Sequence, residues 1–117
     1  NELEKIEVPF TYIELPDMKD VVQMYSALDL YVVGSRVEGG PQSIIECGMT
    51  KTPIVSTDVG IASKFLPETC IFSSDNCKFY LPDDRDVKHL NEKIKNYTIS
   101  KHVKKYDNFF EGILWEY

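Results

Sequence analysis

Two glutamates, Glu38 and Glu46, are separated by seven residues within SRVEGGPQSIIECGMTKTPIV. A carboxylate accepts two hydrogen bonds, a geometry that suits the vicinal hydroxyls of a ribose or hexose. Between the glutamates, Gly39 and Gly40 have no side chains to keep a ligand away from the backbone. Pro41 follows and opens a stretch with helical spacing that runs to about Thr50. Proline at the first helical position has no intrahelical donor to lose, and Gly40 suits the N-cap before it. The free N–H groups and positive dipole end of such a helix make a ready site for a diphosphate. Glu46 stands five residues in, roughly 7 to 8 Å along the axis at 1.5 Å per residue. Helical side chains lean toward the N-terminus, so its carboxylate reaches hydroxyls just beyond a diphosphate. One glutamate then holds a sugar and the other a ribose, with the phosphates between them.

The elements that must position these groups follow from the surrounding pattern. VPFTYIEL, residues 8 to 15, reads as a strand that ends at Pro16. Asp17 is a natural N-cap for an amphipathic helix over 18–27, with Met18, Val21, Val22, Met24, Tyr25 and Leu28 as its apolar positions. Leu30 to Val33 read as a strand buried on both faces, as in a parallel sheet. After the loop Ser35 to Gly40 and the Pro41 helix come a strand at 53–57, a short helix at 59–66, and short strands at 70–72 and 78–81. A helix over 86–97 presents Val87, Leu90 and Ile94. A last helix, about 99–116, carries Val103, Tyr106, Phe109, Phe110, Ile113, Leu114 and, just beyond it, Tyr117 as a wide aromatic stripe that must be buried against something. Alternating strands and helices with short connections imply an α/β fold, a Rossmann-like parallel sheet with flanking helices. Ligands bind outside the carboxyl ends of such strands, where the Glu38 loop falls.

Composition narrows the partners. At 117 residues, 43% hydrophobic, with six glycines and six prolines, the chain suits one domain. A formal net charge of −6 and a pI near 4.8 argue against a nucleic-acid partner and an anionic membrane. Lys101, Lys104 and Lys105 read as a solvated helix face, His89 and His102 as surface histidines, and Arg36 as a loop residue beside Glu38. Cys47, Cys70 and Cys77 have neither an even count nor CxxC spacing, so neither a disulfide framework nor a zinc site is expected, and a reduced, cytosolic setting fits. No apolar run approaches a membrane span. The chain begins at Asn1 and its first methionine is Met18, so the natural protein is expected to extend further toward the N-terminus.

SRVEGGPQSIIECGMTKTPIVSTDVG resembles the E-x7-E signature of retaining GT-B-fold glycosyltransferases of the family-4 type, commonly S-x-x-E-G-x-G-x-x-x-x-E-A-M-A-x-G-x-P-V. MYSALDLYVV is similar to the helix and strand ahead of that motif, with Tyr25, Ala27 and Asp29 in matching places. The resemblance covers residues 18–60 well and the rest loosely. The combined pattern is fairly specific, whereas E-x7-E alone would carry little. It implies that Glu38 is the catalytic and donor-sugar residue, that Gly39 and Gly40 approach the sugar, that the amides of Gln42 and Ser43 bind the diphosphate and that Glu46 binds the ribose. Gly40-Pro41 stands where Phe-Gly is common, Cys47 replaces Ala, and Thr50-Lys51 replaces Ala-x-Gly. Of the glycines and acidic residue often found after the next strand, only Gly60 has a counterpart.

By the same resemblance, residues 1–117 are the later portion of a C-terminal nucleotide-sugar-binding domain. The N-terminal acceptor domain and the phosphate-neutralising Arg and Lys lie outside them, and the final helix crosses back toward that domain. The complete enzyme is expected to transfer a sugar from a nucleotide diphosphate sugar to a glycan, lipid or small-molecule acceptor with retention, while the fragment alone is inactive. It needs no cofactor and no metal. It is cytoplasmic, with a membrane-peripheral location left open for the full-length enzyme. The alternatives are a non-catalytic nucleotide-sugar-binding or regulatory module and another GT-B enzyme such as a sugar-nucleotide epimerase.

Overall fold

Asp17 is extended (φ −114°, ψ 139°) and its carboxylate accepts the Lys19 amide, which starts α1 (Met18–Ala27) where the N-cap pattern places it. A computed structural model of the chain describes residues 5–14 and 17–114. Helix α1 turns Val21, Met24 and Tyr25 toward the core, whereas Met18 and Val22, grouped with them by spacing, are exposed. The parallel strands β1 (Tyr31–Val33), β2 (Ile54–Thr57) and β3 (Ile71–Phe72) follow one another in space as in sequence. Tyr31 pairs with Ile54 and Val33 with Ser56, and on the far side Ser56 pairs with Ile71 and Thr57 with Phe72. All four β2 residues are buried, as expected of a central parallel strand. The fold is α/β and Rossmann-like. Burial of β1 on both faces is corrected: Val33 is buried but Val32, which points to the opposite face, is 50% exposed, so that face is left open at β1.

Helix α2 (Gln42–Thr50) is seated by Gly48. A Cβ there would lie 2.6 Å from Ile94 Cγ1 and 3.1 Å from Leu90 Cγ, so only glycine lets α2 approach α4 (Asp84–Lys95) this closely. The buried Asn91 side chain donates to the Gly48 carbonyl across the same contact, at 2.7 Å. Helix α4 starts two residues earlier than the apolar stripe suggests. Asp83 accepts the Arg85 and Asp86 amides, and Asp86 returns a bond to the Asp83 amide. Around this contact the core gathers Ile44, Cys47, Ile54, Phe65, Leu90 and Ile94.

Helix α2 ends at Lys51 in the left-handed region (φ 59°, ψ 36°), where glycine is the usual residue. An L-residue there costs about 1–2 kcal/mol, partly offset by glycine's greater unfolded-state entropy. Lys51→Gly is therefore expected to stabilise the chain by about 0.5 kcal/mol, read as a rise of roughly 3 °C in the thermal midpoint. An unchanged or lower midpoint would show that the lysine has compensating contacts.

Other expectations are corrected. The helix over 59–66 is a single turn, α3 (Ala62–Phe65), because Val59–Ile61 form a turn around Gly60 at φ +54°. Residues 8–14 form no strand: Val8, Phe10, Tyr12 and Ile13 are exposed, and among the described residues no strand pairs with them, so alternation alone does not make a ladder. Residues 78–81 are irregular as well. Local bonds from the Asp75 amide to Ser73 and from the Lys78 amide to Asn76, with Cys77 at φ 49°, turn the chain before it can pair. His102 is not a free surface group. It is half-buried and stacks on Tyr97 at 5.4 Å, while Tyr97 meets the Phe65 ring edge-on at 5.0 Å. The last helix, expected over about 99–116, runs through the described residues as α5 (Ile99–Leu114), with Val103 exposed, and residues 115 and 116 lie outside the described residues. The side chains of Tyr106, Phe109, Phe110, Ile113 and Leu114, and Tyr117 as a whole, lie outside the described residues.

Candidate functional site

The loop after β1 is fixed from below by β2 and its following turn. Thr57, the last residue of β2, donates its hydroxyl to the Ser35 carbonyl at 2.6 Å. Three residues on, Gly60 adopts positive φ and abuts the backbone of that same β1–α2 loop. A Cβ at Gly60 would stand 2.7 Å from the Gly39 carbonyl carbon and oxygen and 2.8 Å from the Gly40 nitrogen. Gly39 and Gly40 therefore lie directly on the β2–α3 turn. A Cβ at Gly39 would meet nothing within 4 Å, and one at Gly40 only Ile61 Cγ2 at 3.7 Å. The Gly39 face of the loop is open, as the glycine pair suggests. Glu38 and Arg36 project from this loop and are exposed.

Pro41 is fully buried and serves as the N-cap of α2, extended at φ −60° and ψ 111°, rather than as its first helical residue. The proline ring fixes φ at a value common to both positions, and the extended ψ moves the helix start to Gln42. Gly40 thus stands outside the cap. The first free amides are those of Gln42 and Ser43, which have no intrahelical acceptor. No side chain caps this helix, in contrast to Asp17 on α1 and Asp83 on α4. Gln42 is exposed and Ser43 half-buried.

Glu46 is half-buried one turn further along α2, and its Oε2 accepts the Tyr25 hydroxyl at 2.7 Å. Tyr25 is only 5% exposed, with its ring 5.2 Å from that of Tyr31. Burial first, and then the hydrogen bond to Glu46, push its hydroxyl well above the ordinary tyrosine range, so it remains a donor. Both backbones are tied as well. Thr52 donates to the Tyr25 carbonyl at 2.7 Å, and Thr50 Oγ1 lies 2.9 Å from the Glu46 carbonyl and 2.7 Å from Thr52 Oγ1. Of the residues singled out by the sequence, Gly39, Gly40, Gln42, Ser43 and Glu46 thus share one strand-loop-helix junction, with Glu38 at its exposed rim.

Residues 5–111 match the sequence profile of the glycosyl transferases group 1 family. The chain belongs to this family. No curated protein and no solved structure matches it. As a glycosyltransferase it has a sugar donor and an acceptor, and the whole β1–α2 junction lies within the matched range.

Two residues of this glycosyltransferase domain matter to the junction and escape pattern reading. The spacing marks Tyr25 only as an apolar helix position, and its bond to Glu46 spans 21 residues and crosses between helices, which no helical or strand period encodes. Gly60 carries the turn on which the glycine pair rests. Among the described residues, no group of three or more His, Cys, Asp or Glu could hold a metal ion, and no helix is long and apolar enough to cross a membrane.

Cys47, beside Glu46, is buried, and its thiol is pushed up to about 12 by burial and then by the Glu46 carboxylate. Burial and the nearby Asp86 push Cys70 up to about 11, and Cys77 is exposed. Only thiolates attack disulfide reagents. At pH 8 one thiol per native chain, that of Cys77, is expected to react rapidly with 5,5′-dithiobis(2-nitrobenzoate), and three after denaturation. Cys77→Ser should abolish the fast phase, and its survival in that variant would contradict the burial of the other two. The raised values favour the neutral thiol in the folded state. Their stabilising effect is full below pH 9 and is lost as pH rises toward 11 and 12.

Proposed function

We propose that this chain is the donor-binding portion of the C-terminal domain of a retaining, GT-B-fold glycosyltransferase of the family-4 type, acting on a nucleotide diphosphate sugar. The observation that carries the reading is the order of groups along the β1–α2 junction: a side-chain-free loop, a helix start without a side-chain cap, and a carboxylate held in place one turn in. Glu46 receives the ribose hydroxyls, the Gln42 and Ser43 amides the diphosphate, Gly39 and Gly40 the sugar, and Glu38 its hydroxyls. The chemistry is mainly positioning and stabilisation of the negative charge that develops on the departing diphosphate, which the α2 N-terminus supplies in part. An acceptor domain and further basic residues come from sequence outside these residues, and no metal takes part.

The test is a titration of the purified chain with UDP-, GDP- and ADP-glucose, followed through the backbone amides of residues 38–46 by NMR. Saturable shifts, weakened in Glu46→Ala, are the expected result and identify the preferred base. A folded chain whose amides do not move at millimolar donor would overturn the site.

A further inference from the structure

The contact between α1 and α2 has a polar tip where a helix pair of this kind could be wholly apolar. The Tyr25 hydroxyl sits 2.7 Å from Glu46 Oε2, on a ring that is almost completely removed from solvent. Burial of the hydroxyl is tolerable only with an acceptor, and Glu46 is that acceptor. A glutamate side chain is free to sample several rotamers, and a charge-assisted bond from a fixed donor selects one of them. Here the donor is fixed at both ends: the ring packs on Tyr31, and the Tyr25 carbonyl is held by Thr52, whose hydroxyl lies 2.7 Å from that of Thr50 beside the Glu46 carbonyl.

We infer that Tyr25 is a positioning residue for the donor site: its hydroxyl locks the Glu46 carboxylate so that Oε1 and the remaining lone pair of Oε2 face the ribose diol. This rests on the donor-site reading given above. Tyr25 is too buried to touch a ligand and acts only through Glu46. The carboxylate has about four acceptor sites. One is taken by Tyr25, which leaves enough for the two that a cis-diol needs and removes the freedom to turn away from it.

A double-mutant cycle read by donor affinity tests this, using whichever of UDP-, GDP- and ADP-glucose binds the unchanged chain most tightly. Tyr25→Phe keeps the ring packing and removes only the donor. The expected result is an affinity about tenfold weaker for Tyr25→Phe, at least a hundredfold weaker for Glu46→Ala, and no weaker for the double variant than for Glu46→Ala alone. The 2′,3′-dideoxy form of the same nucleotide should bind the unchanged chain and Tyr25→Phe equally. Glu46→Asp leaves Tyr25 in place but draws the carboxylate back by one methylene, and it too should lose about tenfold. A Tyr25→Phe penalty that persists in the Glu46→Ala background, or that extends to the dideoxy nucleotide, would make Tyr25 a merely structural residue and overturn the inference. Native affinity in Tyr25→Phe with weakened Glu46→Ala would overturn the positioning role and leave the donor site standing. Unchanged affinity in Glu46→Ala, or no binding to the unchanged chain, would remove the donor site itself.

Discussion

Glu46→Ala is expected to lower nucleotide-sugar affinity at least a hundredfold and, independently of any ligand, to destabilise the chain. The first effect follows from the loss of hydrogen bonds to a charged acceptor, worth about 1.5–3 kcal/mol each, so that removing two costs two orders of magnitude or more. The second follows from the other end of the contact. Tyr25 is 5% exposed and its hydroxyl donates to Glu46 at 2.7 Å. Without that acceptor a buried donor is orphaned, at about 1–3 kcal/mol. For a domain of this size each kcal/mol lowers the thermal midpoint by about 4–8 °C. Glu46→Gln separates the two effects, because its amide oxygen still accepts from Tyr25 while the charge is lost: the midpoint should recover and the affinity should not. If Glu46→Ala melts at the temperature of the unchanged chain, the Tyr25 contact contributes nothing to folding.

Gly60→Ala is expected to be among the most damaging single-methyl changes in the molecule, at about 2–4 kcal/mol. Positive φ costs an alanine about 1–2 kcal/mol by itself. The added methyl would also lie 2.7 Å from the Gly39 carbonyl, and backbone cannot rotate out of the way as a side-chain tip can. Gly48→Ala makes a useful comparison. Its closest clash, 2.6 Å, is with Ile94 Cγ1, and Leu90 Cγ lies at 3.1 Å, so the strain falls on the α2–α4 contact rather than on the loop. The Gly60 variant should therefore both melt earlier and move the Gly39 and Gly40 amide resonances, whereas Gly48→Ala should leave those resonances in place. A Gly60→Ala chain within 0.5 kcal/mol of the parent, by urea unfolding, would show that the turn can move off the loop.

The parts of the fold that sequence made legible are those in which local chemistry and burial agree. Asp17 names the start of α1 because an aspartate cap acts on amides two or three residues away, whereas α4, expected from residue 86, starts at Asp84 because Asp83 caps it. β2 is legible because a run such as Ile54-Val55 has no polar face to show solvent. The glutamate pair, the glycines and the helix between them declare the candidate junction because all lie in one contiguous stretch. What stayed hidden depends on distant partners. VPFTYIEL has strand chemistry, yet no described strand pairs with it, and pairing is decided by what lies alongside. Pro41 reads as the first helical residue although it is the N-cap, because proline's φ is the same at both positions and only ψ distinguishes them. The roles of Tyr25 and Gly60 are set by contacts over 21 residues in each case, Tyr25 to Glu46 and Gly39 to Gly60, which no local period reports.

The uncovered segment before α1 bears on how the chain behaves in concentrated solution. Val8, Phe10, Tyr12 and Ile13 are all exposed, Tyr12 by 82%, in a stretch whose alternation is that of a strand without a ladder. Such a segment is a template for pairing between molecules and hence for aggregation. Two features of the same stretch oppose that outcome. Pro9 has no N–H to contribute to an intermolecular ladder, and Glu7 and Glu14 bracket the apolar residues with like charge. Within this stretch, resistance to intermolecular pairing therefore rests on one missing hydrogen-bond donor and two flanking carboxylates.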